Sequence, residues 1–289
     1  MSLVAESKRL APEFAANAAE DDKSRRLTDP SWKMLLDGGF VRALQPARWG
    51  GGEIALIDFI DSTFEISRAN PAAGWVPGVI GVHPWQLALF DERAQKEMWN
   101  EDPARMHSSS YNPTGHAERV AGGYRLRGRW SFSSGCDHCR GVMLGAVAGS
   151  RDIGGKQVAD FRSFLLMRDQ YRIEDNWHVA GLKGTGSKDI VVDDTFVPDY
   201  RTQSHLDYAL NLPLPGQEVN KGPLFRLPFS VVFNVFRAAT GRAIFLDHPL
   251  QQRFQDVQAA LAHAYLLPDP VAKAVGGMVL GASKQEVVV

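Results

Sequence analysis

Apolar residues in the first third of the chain recur at helical spacing. Leu56, Ile60 and Phe64 are four positions apart, so they share one face of a helix. This pattern predicts an amphipathic helix over Glu53–Arg68. Residues 1–105 are therefore expected to form an N-terminal helical domain.

Two prolines in this region follow residues that cap helices. Asp29-Pro30 and Asn70-Pro71 each place a capping side chain before a proline, which is the usual start of a helix. The helix after Asn70 is expected to carry His83 among apolar residues. Asp91 is expected to open a further short helix.

The hydrophobic period changes from about four to two after Met106. Between Tyr124 and Arg129, apolar residues and glycine alternate with arginine, as in a strand with one buried face. Short apolar runs and glycine pairs continue to Pro198. This block is most simply a central antiparallel β-barrel or sandwich domain, with bounds at residues 106–222.

The remainder of the chain is expected to begin with a loop, Arg201–Gly222, and to become helical again from Leu227. Residues 223–289 would form a third, helical domain. Blocks of helices, then strands, then helices indicate an α+β multidomain chain rather than a βαβ sheet. No G-x-G-x-x-G motif follows a strand, so a Rossmann fold is not supported.

Composition narrows the class of protein. The chain has 289 residues with a formal net charge of −1, which gives no electrostatic reason to expect a nucleic acid or an anionic membrane as partner. No run approaches the roughly 20 apolar residues of a membrane span. The N-terminus lacks the apolar region of a secretory signal. A cytoplasmic protein is expected.

Both cysteines lie in one stretch, GRWSFSSGCDHC (Gly128–Cys139). A closed zinc site needs four ligands, and no second C-x-x-C or H-x-x-x-H exists. A redox dithiol normally opens a helix, whereas the residues after Cys139 predict a strand. No metal is therefore expected, and the two cysteines are interpreted as incidental residues of a turn between strands.

Three segments resemble one family. They are GRWSFSSG (128–135), NWHVAGLKGTGSKDIVVDDTFVP (Asn176–Pro198) and RAIFLDHPLQQRFQDVQAALAH (Arg242–His263). Together they resemble the acyl-CoA dehydrogenase superfamily. Within it they are most similar to the oxygenase components of two-component flavin monooxygenases, which include hydroxyphenylacetate and phenolic-secosteroid hydroxylases.

The resemblance implies a helical domain, a central β-barrel and a C-terminal helical bundle, with flavin between barrel and bundle. A separate reductase would supply reduced FMN or FAD. Molecular oxygen would then form a flavin C4a-hydroperoxide that hydroxylates a small phenol-like substrate. The family also implies a homo-oligomer, a tetramer in relatives.

The same resemblance implies which residues contact the flavin. The first motif would run past its ring system, and the glycine-rich second motif permits close backbone approach. Trp130 would stack near the ring, and serine hydroxyls near N5 would protect an oxygen adduct, with Ser134 in a catalytic role. The implied cofactor residues are Trp130, Ser131, Phe132, Ser133, Ser134, Lys183, Gly184 and Thr185.

The resemblance places two histidines beside the substrate. A histidine near neutral pKa could deprotonate a phenol, so His83 and His263 are the candidate catalytic bases or phenol-binding groups. Each also has a simpler interpretation, as a buried or helix-face residue. Trp85 and Ser110 are the other predicted substrate residues.

The sequence departs from the family in its C-terminal part. Leu227–Phe236 resembles the first long bundle helix, yet Arg237 begins what resembles the loop before the last helices. The predicted third domain is therefore a shortened bundle, produced by an internal deletion. A non-catalytic remnant of the family is accordingly one alternative. An acyl-CoA dehydrogenase is another, although the stretch after His263 lacks its catalytic glutamate.

Overall fold

The computed structural model describes residues 2–232. Helices occupy its first hundred residues, and strands dominate from His107 onward. The helices are α1 Leu3–Ser24, α2 Asp29–Asp37, α3 Leu56–Ala69, α4 Pro71–Ile80, α5 His83–Leu87, α6 Glu92–Trp99 and α7 His205–Ala209.

Two of the predicted helix starts are confirmed. The Asn70 side chain accepts a hydrogen bond from the Ala73 amide at the start of α4. The Asp91 side chain accepts one from the Arg93 amide at the start of α6. These caps satisfy amide groups that have no partner inside the helix.

Three details of the helix prediction are wrong. The N-cap of α2 is Thr28 rather than Asp29, which is its first helical residue. Helix α3 begins at Leu56, because Glu53 has a left-handed backbone (φ 44°) that a helix cannot include. His83 begins a separate short helix, since Pro84 has no amide hydrogen to bond the carbonyl of residue 80.

The seven strands form one sheet in the order β5-β6-β2-β1-β3-β4-β7. They are β1 His107–Val120, β2 Gly123–Ser133, β3 Gly141–Ile153, β4 Lys156–Met167, β5 Arg172–Glu174, β6 Lys188–Pro198 and β7 Thr202–Ser204.

The prediction of a closed antiparallel barrel needs correction. The sheet is open, since the three-residue strands β5 and β7 form its two edges. The β1–β3 pair is parallel, whereas all the other pairs are antiparallel. The parallel pair arises because the chain leaves β2 and passes through a 3₁₀ turn at Cys136–His138. It then returns beside β1, where the Arg140 amide donates to the Met106 carbonyl.

The sheet has a different core on each face. One face packs an apolar cluster contributed by β2, β3, β4, β5 and β6, which includes Trp130, Leu144 and Phe164. The other face meets the helices, where Tyr111 packs with Met143 and residues of α6. Strand β1 therefore separates two environments, and alternate residues along it face different ones.

The segment Arg201–Gly222, predicted to be a loop, contains β7 and α7. Beyond it, the buried Trp85 indole donates a hydrogen bond to the Leu224 carbonyl and ties this segment to α5. Apart from residues 223–232, the third predicted domain lies outside the described residues. So do His263, Arg242–His263 and the Phe236–Arg237 junction. The division into three domains stays a prediction.

Candidate active site

The two glycine- and serine-rich motifs meet in space. The Gly135 amide, just after β2, donates to the Thr185 carbonyl at 2.8 Å. Side chains join them as well, since the Ser134 and Ser187 hydroxyls lie 2.7 Å apart and Ser187 lies 2.7 Å from the Thr185 hydroxyl. The sequence therefore brings together the two motifs that the resemblance placed beside the flavin.

The hydrogens in this buried hydroxyl chain have one consistent arrangement. Thr185 donates to the Leu182 carbonyl at 2.8 Å, so it accepts from Ser187, which in turn accepts from Ser134. The indole N–H of Trp75 donates to Ser134 at 3.1 Å. Because the Ser134 hydrogen is already used, this hydroxyl has only one acceptor lone pair left for a ligand.

The other residues of the first motif have different surroundings. Trp130 is fully buried in the apolar core, where its indole donates to the Gly145 carbonyl. Ser133 is buried and donates to the Ser108 hydroxyl. The Ser131 carbonyl accepts from Ser110 at 2.7 Å. The structure thus places Trp130 away from the hydroxyl chain.

Phe132 interrupts the strand. It is 50% exposed, and its φ of 67° lies in the left-handed region that a bulky residue rarely adopts. The ladder between β2 and β6 shifts register here. Its ring meets Trp177 edge-on at 6.0 Å. Strained residues of this kind occur often at ligand sites, so the exposed ring is a candidate cofactor contact.

The second motif packs against the N-terminal helices. Lys183–Thr185 forms a 3₁₀ turn, and the Gly184 amide donates to the Asp22 carboxylate at 3.0 Å. A Cβ on Gly184 would lie 2.9 Å from that of Ala72, so only glycine fits there without displacing α4. Lys183 is half-buried beside this contact.

His83 lies against the helix-facing side of β1. It is 1% exposed, and its Nδ1–H donates to the His107 carbonyl at 2.9 Å. Its Nε2 therefore accepts from the Ser109 hydroxyl, also at 2.9 Å. Burial lowers the pKa of His83 to about 4, so the ring is neutral near pH 7.

The predicted substrate residue Ser110 faces the opposite side of β1 from His83. Strand alternation directs Ser109 and Tyr111 toward the helices, and Ser110 toward the other face. Trp85 is fully buried and anchors Leu224. The structure thus brings together His83 and Ser109, and it separates them from Ser110.

Sequence reasoning missed several residues around His83. His107 is fully buried with its ring 5.4 Å from that of His83, and within residues 2–232 neither of its ring nitrogens has a hydrogen-bond partner. Tyr111 lies edge-on to His83 at 6.3 Å and also reaches His205, at 6.0 Å. In HSSSY (residues 107–111), strand alternation would have placed His107, Ser109 and Tyr111 on one side of β1. No periodic pattern indicated His205.

The two cysteines of the turn after β2 are not joined in a disulfide. Cys136 and Cys139 are buried and free, and burial raises the pKa of Cys136 to about 12. No cluster of three possible metal ligands occurs in the described part of the chain. Within the same range, no helix is long and apolar enough to cross a membrane.

No protein-family model matches the chain. Individual proteins do match. The oxygenase subunit HsaA of a flavin-dependent monooxygenase from Rhodococcus jostii (strain RHA1) is 39% identical over 267 residues, which are 91% of this chain and 69% of HsaA. The oxygenase component of an FADH(2)-dependent resorcinol hydroxylase from Rhizobium sp. (strain MTP-10005) is 33% identical, over 81% of this chain and 58% of that protein.

The fold agrees with these matches. The crystal structure of 3-HSA hydroxylase from Rhodococcus sp. RHA1 superposes with a TM-score of 0.88 and 29% identity, over 100% of this chain and 99% of that one. Fold and site thus define an acyl-CoA dehydrogenase-like flavin monooxygenase. The chain belongs to the oxygenase components of two-component flavin-dependent monooxygenases, which are oxidoreductases.

Proposed function

We propose that this chain hydroxylates a phenol-like aromatic substrate, using molecular oxygen and reduced FMN or FAD from a separate reductase. The family supports the reaction class, and relatives with oxygenase-component names imply the reductase. The observation that carries the proposal is the buried Ser109–His83 pair on the helix-facing side of β1. This pair can bind a phenol hydroxyl.

The residues of the two motifs fit a reduced flavin. The N5 position of reduced flavin carries a hydrogen, and the Ser134 hydroxyl retains an acceptor lone pair but no free hydrogen. Phe132 offers exposed aromatic surface to a flat ring system. When bound, the flavin supplies the oxygen activation, and these residues hold its ring and exclude water.

The Ser109–His83 pair favours binding over deprotonation of the phenol. A phenol has a pKa near 10, whereas that of His83 is about 4, so complete proton transfer between them would cost about 8 kcal/mol. We therefore propose phenol binding rather than deprotonation as the role of His83. Instead, the Ser109 hydroxyl donates its hydrogen to His83 Nε2. The Ser109 oxygen therefore keeps lone pairs that can accept a hydrogen bond from the phenol.

Hydrogen bonding supports the same assignment of roles. Both ring nitrogens of His83 are already bonded, whereas the Ser109 oxygen keeps lone pairs, so Ser109 contacts the substrate and His83 acts through it. His83 is thus a positioning residue. The role predicted for His263 stays a prediction, as do the tetramer and the cytoplasmic location.

Adjacent serines on β1 provide a matched test. Ser109→Ala removes the phenol acceptor, and kcat/KM for a simple phenol should fall about tenfold, the worth of one hydrogen bond. Ser110→Ala alters the opposite face, where Ser110 donates to the Ser131 carbonyl, so it should leave the KM for the phenol within about twofold and act instead on reduced-flavin binding. Product formation with reduced flavin and oxygen is the assay. Equal effects of the two substitutions would contradict the assignment of Ser109.

An anaerobic titration with reduced FMN and reduced FAD separates the enzyme from the non-catalytic remnant. Saturable binding of either flavin supports the proposal and identifies the cofactor. A folded protein that binds neither would favour the remnant.

A further inference from the structure

The end of α1 reaches the segment that leads into the glycine-rich motif. Arg25 caps α1 in a left-handed conformation, with a φ of 52°. Its guanidinium donates to the two oxygens of Asp175, at 2.6 and 2.9 Å, and to the Trp177 carbonyl at 3.3 Å. Residues 175–180 have no regular secondary structure, so contacts of this kind decide where Trp177 lies.

Asp175 is held from a second side as well. The ammonium of the buried Lys188 lies 3.4 Å from Asp175 and 2.9 Å from Asp137, in the turn after β2. The Arg25 guanidinium holds the pKa of Asp175 below its usual range, so this carboxylate is charged near neutral pH. A bidentate contact within a network of charges is more effective than an isolated ion pair on the surface.

Trp177 contacts both motifs. Its ring meets that of Phe132 edge-on, with 6.0 Å between the centroids. Its indole N–H donates at 3.2 Å to the Leu182 carbonyl, which also accepts from Thr185 at the end of the buried hydroxyl chain. A shift of Trp177 would therefore move both the exposed Phe132 ring and the acceptor that orients the hydroxyl chain.

Backbone strain converges on this tryptophan. Within residues 2–232, five residues other than glycine have a left-handed backbone. Three of the five contact Trp177, namely Arg25, Phe132 and Leu182, with φ values of 52°, 67° and 53°. Such residues persist only where the surrounding contacts hold them, and they cluster at ligand sites. A salt bridge that merely joined two surface segments would not explain strain at all three contacts.

We propose that Arg25 is a positioning residue for the flavin, which acts through Asp175 and Trp177 to fix the Phe132 ring and the hydroxyl chain. The proposal rests on the proposed function, in which Phe132 and Ser134 contact the flavin. Arg25 is not itself a flavin ligand, because its guanidinium is committed to Asp175 and to the Trp177 carbonyl. Helix α1 thus takes part in the site without touching the cofactor.

Neighbouring arginines provide a matched test, since Arg26 pairs with Asp29 instead. Arg25→Met leaves Asp175 its contact with Lys188, so the protein should fold. In an anaerobic titration, its Kd for reduced flavin should rise about fivefold. A larger share of the flavin oxidised by oxygen should then yield hydrogen peroxide rather than hydroxylated phenol, while the KM for phenol stays within about twofold. Arg26→Met should leave all three quantities within about twofold of the wild type.

A double substitution tests whether Arg25 acts through Trp177. In a Trp177→Ala background, Arg25→Met should raise the Kd for reduced flavin by less than about twofold more. Fully additive effects, equal effects of Arg25→Met and Arg26→Met, or a KM for phenol that rises as much as the flavin Kd would refute the positioning role, while the proposed function stands. The comparison of the two arginines carries the test should Trp177→Ala not fold. A wild type that binds neither reduced FMN nor reduced FAD would overturn the proposed function and this role with it.

Discussion

Buried neutral histidines should make this protein sensitive to mild acid. His83 has an ordinary pKa near 6.5 when the chain is unfolded, and burial lowers it to about 4 in the folded protein. Between these values the unfolded chain binds a proton that the folded protein does not. Stability contributed by neutral His83 is therefore fully present above about pH 6.5 and is lost as the pH falls toward 4.

The size of the effect follows from the same two values. Near pH 5 the unfolded chain is almost fully protonated at this position and the folded protein scarcely at all, which costs about 2 kcal/mol of the free energy of unfolding. His107 faces His83, and burial, followed by repulsion from His83, lowers its pKa further. As the pH falls, both rings therefore lower the free energy of unfolding.

The substitution His83→Asn isolates one contribution. Asparagine can retain a hydrogen bond to the His107 carbonyl but does not titrate in this range. The assay is urea unfolding of flavin-free protein, followed by tryptophan fluorescence near pH 7.5 and near pH 5. Between these pH values, the variant should lose about 2 kcal/mol less stability than the wild type.

The exposed His116 supplies the control, since His116→Asn should lose as much stability as the wild type. Carboxylates also contribute to acid unfolding, but they are common to all three proteins. Identical losses in wild type and His83→Asn would refute the reasoning that a neutral, desolvated ring at residue 83 limits acid stability.

Two further predictions concern packing. Gly115→Ala would place a Cβ 1.8 Å from the buried Trp130 ring and should reduce the free energy of unfolding by about 1–3 kcal/mol, measured by urea unfolding; unchanged stability would contradict this packing. Trp75→Phe removes the hydrogen-bond donor to Ser134 and should cost about 1–2 kcal/mol in the same assay, with weaker binding of reduced flavin in an anaerobic titration. An undiminished flavin affinity would show that the hydroxyl chain does not support the cofactor.

Periodicity and capping residues were sufficient to predict much of the fold. The change from a period near four to a period of two located the start of the sheet at Met106 and His107. The caps at Asn70 and Asp91 set two helix starts. The open edges of the sheet and the parallel β1–β3 pair depend on contacts between residues far apart in the chain, which local pattern does not report.

The site was predicted in part. The motifs at residues 128–135 and 181–187 do meet, as the resemblance implied. The sequence does not show which of Ser109 and Ser110 shares a side of β1 with His83, because strand parity becomes definite only once α5 is placed over β1. The substrate role of Ser110 stays a prediction. His205 follows the three-residue strand β7 and begins the five-residue helix α7, and both are too short to produce a periodic signal.

Strand β1 has a consequence for how the enzyme can diversify. Its odd-numbered residues meet His83 and His205, whereas Ser108 and Ser110 contact the Ser131–Ser133 segment. Under the roles proposed for Ser109 and for the Ser131–Ser134 segment, substitutions on the odd side would alter which aromatic compound is accepted and leave the flavin contacts in place. Directed evolution toward new phenols should then start from the odd positions of this one strand.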